Sequence, residues 1–239
     1  MNFKFPLGFI WKDIKISKAE NISQEPPLRI DEVRLRLGII PLIALRKTLY
    51  IDSKVFGGEI RADVQIKGND YLISEKTLKE IELNKIYFSK MTKESKLSGK
   101  INSSFNMHLP AGTLSVSNGN AFIILKDIKI ENVWLMIPKI TLSEVKGEIK
   151  FFKGRGYIKS FDGTGEEIKI TGRGNIDLAN SLMDSKLNLT LKVTPKGEKG
   201  VFGKIISALA KSKGRSFVPV AITGNLSKPF FSVFGQPLQ

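Results

Sequence analysis

The 239-residue chain contains no cysteine and a single histidine, His108. The first absence excludes disulfides, thiolate nucleophiles and cysteine-held zinc or iron–sulfur sites. The second excludes a histidine-rich metal site, and His108 reads as a strand-end surface residue rather than a catalytic base. No run of about 18 apolar residues occurs, so no segment reads as a membrane-spanning helix. The opening MNFKFPLGFIW is too short for a secretory signal and is interrupted too early by Pro6. Acidic residues are outnumbered by basic ones, 23 to 38, which gives a formal net charge of +15. That balance suits anionic partners: nucleic acid, lipid headgroups or an acidic protein. Spread along the whole chain, it equally serves to keep an exposed sheet in solution.

Apolar residues make up 41% of the chain, enough to bury a sizeable core as one or two domains. Their dominant period is two. Phe9 and Trp11 share one face of a first strand, with Ile10 on the other. In Leu28–Leu37 the apolar phase slips, which a bulge at Asp31-Glu32 would explain. Thr48–Asp52 and Phe56–Lys67 read as a hairpin around Gly57-Gly58, with Ile60, Ala62, Val64 and Ile66 on one side. The stretch Leu109–Val193 is almost continuous strand pattern, including short strands at Leu114–Val116, Val133–Ile137 and Lys139–Leu142. Its turns carry Gly112, Gly119, Gly154, Gly156, Gly163 and Gly165. Lys186–Val193 alternates cleanly, so Leu187, Leu189, Leu191 and Val193 must meet a core, a lipid or a partner. Val218, Val220 and Ile222 repeat the pattern in Phe217–Pro229, where Gly224 loosens the strand and Pro229 is expected to stop it. An apolar-x-Gly-x-apolar kernel recurs at Leu97–Ile101, Val145–Ile149 and Ile222–Leu226, with a partial copy at Ile170–Gly174.

Helix signals are few. Ser74–Leu83 has a capping serine, apolar Leu78 and Ile81, and a Lys76/Glu80 pair. Gly38–Leu45 reads as a short helical turn. Val201–Ala210 places Phe202, Ile205, Ile206 and Leu209 on one side, with Lys204 and Lys211 among its cationic flanks. It either closes the end of a sheet or lies at a bilayer interface. The fold class expected is mainly β: an elongated, twisted antiparallel sheet of repeated strands with one or two short helices. It is read as one domain over 1–239, with a subdivision at 95/96 as the alternative.

The chemistry-bearing patterns fail on context. Gly200-Val201-Phe202-Gly203-Lys204 resembles the end of a phosphate-binding loop. Glu198 stands where its first glycine belongs, and Ile205 where Ser or Thr would bind Mg²⁺. The pairs Gly154/Gly156, Gly163/Gly165 and Gly172/Gly174 lack the third glycine and the helix of a dinucleotide site. The acids at Asp31-Glu32, Glu80/Glu82 and Asp162–Glu167 read as solvated turn or strand residues rather than an acid–base pair. No enzyme and no cofactor are expected. Phe151, Phe152 and Tyr157, beside Lys150, Lys153 and Arg155, would suit single-stranded nucleic acid, but Phe151 and Phe152 must point to opposite faces, so at most one of those two joins a stacking platform. Nucleic acid is therefore a lesser expectation.

Gly165–Gly172 leads to Asn175-Ile176-Asp177-Leu178, then Ser185–Leu189, a Lys/Gly/Ala helical interval, and Val220–Pro229. With the Pro6-Leu7-Gly8 strand, Phe56–Ile60 and Leu97–Ile101, this order resembles the type II secretion system protein N family (GspN) within the wider AsmA-like envelope proteins. The resemblance implies a β-groove or taco-like sheet on the periplasmic side of the inner membrane. It also implies a role in secretion or in handling lipid along an apolar, concave groove. A membrane anchor is implied at the N-terminus, and these residues do not contain it. The expected partners are a lipid or anionic membrane surface and secretion-system components. The lipid-facing candidates are Leu187, Leu189, Leu191, Val193, Val218, Val220 and Ile222. The membrane-facing helix candidates are Phe202, Ile205, Ile206, Leu209, Lys204 and Lys211. A scaffold with no ligand is the remaining alternative.

Overall fold

A computed structural model of the protein describes residues 8–16, 28–38, 47–86, 96–134, 137–197 and 200–237. Of the helical turn expected over 38–45, all but Gly38 lies outside these residues, as do Pro6 and Leu7. The described strands are β1 (Gly8–Ile16), β2 (Leu28–Leu37), β3 (Lys47–Val55), β4 (Gly58–Lys67) and β5 (Asp70–Glu82). They continue as β6 (Lys96–Leu109), β7 (Asn118–Trp134), β8 (Ile137–Phe152), β9 (Arg155–Thr164), β10 (Ile168–Asp177) and β11 (Lys186–Pro195). A single described α-helix, α1 (Val201–Ser212), precedes β12 (Val218–Asn225), β13 (Lys228–Val233) and β14 (Gln236–Pro237). Each strand pairs antiparallel with its sequence neighbours, giving one 14-stranded sheet in the order β1 to β14. β5 pairs directly with β6, so the sheet runs unbroken across 95/96.

Three hairpins close through two-residue turns in which both central residues have positive φ: Phe56-Gly57, Lys153-Gly154 and Phe234-Gly235. This geometry matches the right-handed strand twist, and glycine at the second place removes half of its steric cost.

A seam of irregularities crosses the sheet near one end. β5 carries an extra residue at Glu80 (φ 56), held by its amide donating to the Asn102 side-chain oxygen at 3.0 Å. The register then shifts between Ser98 and Lys100 on β6, where Gly99 sits at φ 134, and β7 steps at Asp127 (φ 52). Bulges bend a sheet and raise its local twist. Here they also bring Ile128 and Leu142 onto the face that carries Leu125 and Val145. The slip expected in β2 is present as well, with Ile30 and Glu32 opposite the adjacent Val55 and Lys54.

Beyond the seam lies the main core. Phe202, Ile206 and Ala210, spaced at i, i+4 and i+8 on α1, are buried with Ile128, Leu142, Val145, Ile168, Val193 and Val218. The helix is about 18 Å long, close to the width of the five strands β8 to β12 at about 4.8 Å each, and it packs on β8, β11 and β12. Its N-terminus is capped from a distance, since the Gly203 amide donates to the Glu167 carboxylate at 2.7 Å. Glu167 was expected to be a solvated turn acid. The turn after β9 places it at the positive end of the helix instead. Glu167→Ala is expected to cost about 1 kcal/mol, read as a lower denaturant midpoint with an unchanged slope.

At the opposite end the loops are stitched into a cap. Gly154 donates to the Ser117 carbonyl and Leu178 to the Gly154 carbonyl, both at 2.8 Å, while Leu226 and Ser227 donate to Ser185 and Met183. A side chain at Gly154 would stand 1.9 Å from the Ser115 carbonyl oxygen, so this junction closes only around glycine.

Four expectations are corrected. Ser74–Leu83 is not a helix; Ser74–Glu82 belongs to β5, and a single 3₁₀ turn follows at Leu83–Lys85. A register shift against β6 between Leu78 and Ile81 puts these two apolar residues three apart, a spacing that reads as helical in sequence. Leu114–Val116 is a 3₁₀ turn of the cap, not a strand. Pro229 does not stop the sheet: β12 ends at Asn225, Leu226-Ser227 turn, and Pro229 pairs with Gly224 from β13. The glycine kernel is not one structural unit either. Gly99 sits in a bulge, Gly147 in flat strand, and Gly224 beside a hairpin.

Candidate hydrophobic-ligand face

Pairing register and side-chain alternation give the sheet two chemically distinct faces. One direct cross-strand row runs Leu37, Leu49, Val64, Ile73, Met107, Gly119, Phe151, Gly156, Ile176, Leu187 and Gly224. Every position from β2 to β12 is apolar or glycine, over a span of about 48 Å. The Phe151 ring lies on the bare backbone of Gly156, where a Cβ would meet it at 2.6 Å. A neighbouring row carries Val33, Ile60, Leu78, Ile123, Phe161, Leu191 and Val220, with Ser53, Ser103, Gly147 and Gly172 between them.

The sequence-derived residues fall on this face together. Leu187, Leu189, Leu191 and Val193 stand directly opposite Gly224, Ile222, Val220 and Val218. Val193 and Val218 are buried under α1, whereas Leu187, Leu189, Leu191, Val220 and Ile222 are half-buried. The same state extends to residues outside the lipid-facing candidates, among them Leu49, Val64, Met107 and Ile123. Among the described residues, α1 covers this face at the end where Val193 and Val218 lie.

The helix candidates divide. Phe202 and Ile206 are 7% and 6% exposed, so they are core and unavailable to a bilayer, and Ile205 packs beside them. The correction is physical: a 12-residue amphipathic helix beside an open apolar sheet buries its stripe there first. Leu209 (41% exposed), Lys204 and Lys211 remain on its outer side.

The other face of the sheet is polar and laced with ion pairs. Arg36 pairs with Asp52, and Arg61 with Glu59 at 2.9 Å. Further along, Lys159 pairs with Glu148 at 2.7 Å and Arg155 with Asp177 at 2.5 Å. The larger of the depressions described, about 880 Å³, lies on this polar side between Arg36, Tyr50, Thr77, Asn106, Phe122 and Glu148. Over β2 to β8 a hollow thus lies on the polar side. Of the aromatic residues weighed for nucleic acid, Phe151 is buried on the apolar face. Phe152 and Tyr157 are both exposed on the polar one, with Lys153 5.4 Å from the Phe152 ring.

His108 lies 3.1 Å from Asp70, whose other oxygen accepts the Ala111 amide at 3.0 Å. The pair pins the loop after β6 to the start of β5. The Ala111 amide first, and His108 second, hold the Asp70 carboxyl below its ordinary value. A depressed carboxylate favours the pinned form above its unfolded pKa of about 3.9, and that preference is lost as pH falls through the lower, folded value. The Ala111 amide resonance is therefore expected to titrate with a midpoint below about 4. A midpoint in the ordinary carboxylate range would show that the contact does not hold in solution. Among the described residues no group of three or more acidic or histidine side chains is placed to hold a metal ion. No described helix is long and apolar enough to cross a membrane.

Compared with known proteins, the chain matches no family model, no curated protein and no solved structure.

Proposed function

We propose that the protein binds the acyl chains of a lipid along the uncovered apolar face of its sheet, without catalysing a reaction. The observation that carries this is the row Leu37 to Gly224, apolar or glycine on every strand from β2 to β12, which α1 does not reach, since it packs at the Val193–Val218 end of the strands. Contiguous apolar surface of this extent on a soluble chain marks a binding site, and a long, narrow, feature-poor strip suits a flexible hydrocarbon better than a compact polar metabolite. The resemblance to type II secretion protein N and the AsmA-like proteins supports the same reading and adds the periplasmic side of the inner membrane as its setting. Secretion components are then candidate partners.

The test is titration with a fluorescent fatty-acid analogue. Saturable uptake with a blue-shifted emission, reversed by excess unlabelled phospholipid, is the expected result. Emission that stays at its value in water at all protein concentrations would refute it.

A second reading has one observation in its favour. Phe152 and Tyr157 share the polar face with Lys150, Lys153 and Arg155, an arrangement suited to stacking bases while contacting phosphates. Arg155 is already engaged by Asp177, which weakens the site. Binding of a single-stranded oligonucleotide with a steep salt dependence would favour this reading.

A further inference from the structure

The loop cap at the end of the sheet opposite α1 is built from three separate segments that the backbone bonds into one surface. The loop 178–185 and the turn Leu226-Ser227 meet through the Leu226 and Ser227 amides, which donate to the Ser185 and Met183 carbonyls. The 3₁₀ turn Leu114–Val116 is joined by way of Gly154, whose amide donates to the Ser117 carbonyl and whose carbonyl accepts from the Leu178 amide. Ser115 adds a longer link, its amide donating to the Asn180 side chain at 3.4 Å. Ser185, fully buried, ties down the middle loop by accepting the Ala179 amide at 3.0 Å. These anchors hold the tips in place, yet the side chains they present are apolar. Leu182 and Met183 are 53% and 54% exposed, Val116 44% and Leu226 37%. Burying such side chains against the protein would be worth about 1.5–3 kcal/mol each in the usual case, and here they are turned out to solvent.

Charge identifies the occupant. Lys153, Lys186 and Lys228 flank the apolar tips from the adjoining turn and strand ends, all exposed, against the exposed acid Asp184. An apolar knob with a basic collar complements a bilayer whose surface is anionic: the tips enter the acyl boundary and the lysines remain at headgroup level. We propose that this cap docks the protein on an anionic membrane, with the sheet standing away from the bilayer. The cap, not α1, is then the membrane-contacting element. This holds whether or not the sheet face carries a lipid.

Vesicle flotation tests it, with phosphatidylcholine vesicles compared with vesicles containing phosphatidylglycerol. The protein is expected to float with the anionic vesicles, and less so as salt is raised. Replacing both tips (Leu182→Asp with Met183→Asp) is expected to lower the partition constant by about tenfold or more. The milder Leu182→Ser with Met183→Ser is expected to lower it less, with an unchanged thermal midpoint in both cases because the side chains are exposed. Lys186→Glu with Lys228→Glu is expected to remove most of the salt-dependent part. Val201→Asp with Leu209→Asp, on the exposed side of α1, is expected to bind as the unaltered protein does. Failure to float with anionic vesicles, unaltered binding by both tip variants, or loss confined to the α1 variant would each overturn the proposal.

Discussion

Phe202→Ala is expected to destabilise the protein by about 3–5 kcal/mol, the largest effect of any single substitution proposed for it. Phe202 is 7% exposed and lies in the cluster where α1 forms a second layer on the sheet, with Ile168 and Val218 at 1% in the same cluster. Among the described residues the other buried apolar side chains, such as Val55, Ala62 and Phe151, lie outside this cluster and cannot compensate for its loss. The cavity left by the ring would also loosen α1, whose other anchors, Ile206 and Ala210, follow at one-turn intervals along the same stripe. The change should appear in chemical denaturation as a lowered midpoint. The exposed α1 position Leu209→Ala serves as a control and is expected to stay within about 0.5 kcal/mol of the unaltered protein. Equal effects at the two positions would mean that the helix does not roof the sheet end.

Leu189→Glu is expected to lower affinity for an acyl ligand by about tenfold or more, whereas Thr190→Glu, one residue along, is expected to leave it unchanged. The two lie on the same strand and differ only in face. Leu189 is half-buried opposite Gly174 and Ile222, and Thr190 is exposed opposite Arg173 and Ala221. A carboxylate at 189 would stand in the middle of the apolar strip, where a hydrocarbon ligand could not solvate it. At 190 it would face water and the Arg173 side of the sheet. The measurement is the dissociation constant of the fluorescent fatty-acid analogue for each variant, after thermal melting has shown both to be folded. Matching losses at 189 and 190 would point to a polar-face site or to general destabilisation, and would count against the apolar strip.

Much of this arrangement is legible in the residues where local chemistry decides it. The strict alternation of Leu187–Val193 and of Val218–Ile222 assigns both segments to one face, and their register brings them into direct opposition. The phase slip at Asp31-Glu32 marks a real bulge. Val201–Ala210 is helical because its stripe recurs at 3.6 residues and meets a sheet that needs covering. The misreadings share a cause, which is pairing across strands that a linear pattern does not contain. The bulges in β5 give strand residues a helical spacing, so Ser74–Glu82 looks helical on its own and extended between β4 and β6. Glu167 carries no capping signature, because the helix it caps begins 34 residues later in the sequence. Leu182 and Met183 sit in a short polar loop without periodicity, and only the bonds of the cap show them gathered with Val116 and Leu226. The location of the hollow on the polar side is a property of sheet curvature, which alternation alone does not specify.

The apolar face is the centre of this account, and lipid analysis of the intact protein tests it most directly. Protein purified without detergent is examined by native mass spectrometry and by solvent extraction. The expected result is an adduct of phospholipid or fatty-acid mass on a substantial fraction of molecules, reduced in Leu189→Glu and retained in Thr190→Glu. A protein free of adducts that takes up none from donor vesicles would contradict the account, and the uncovered strip would then be a surface for another protein.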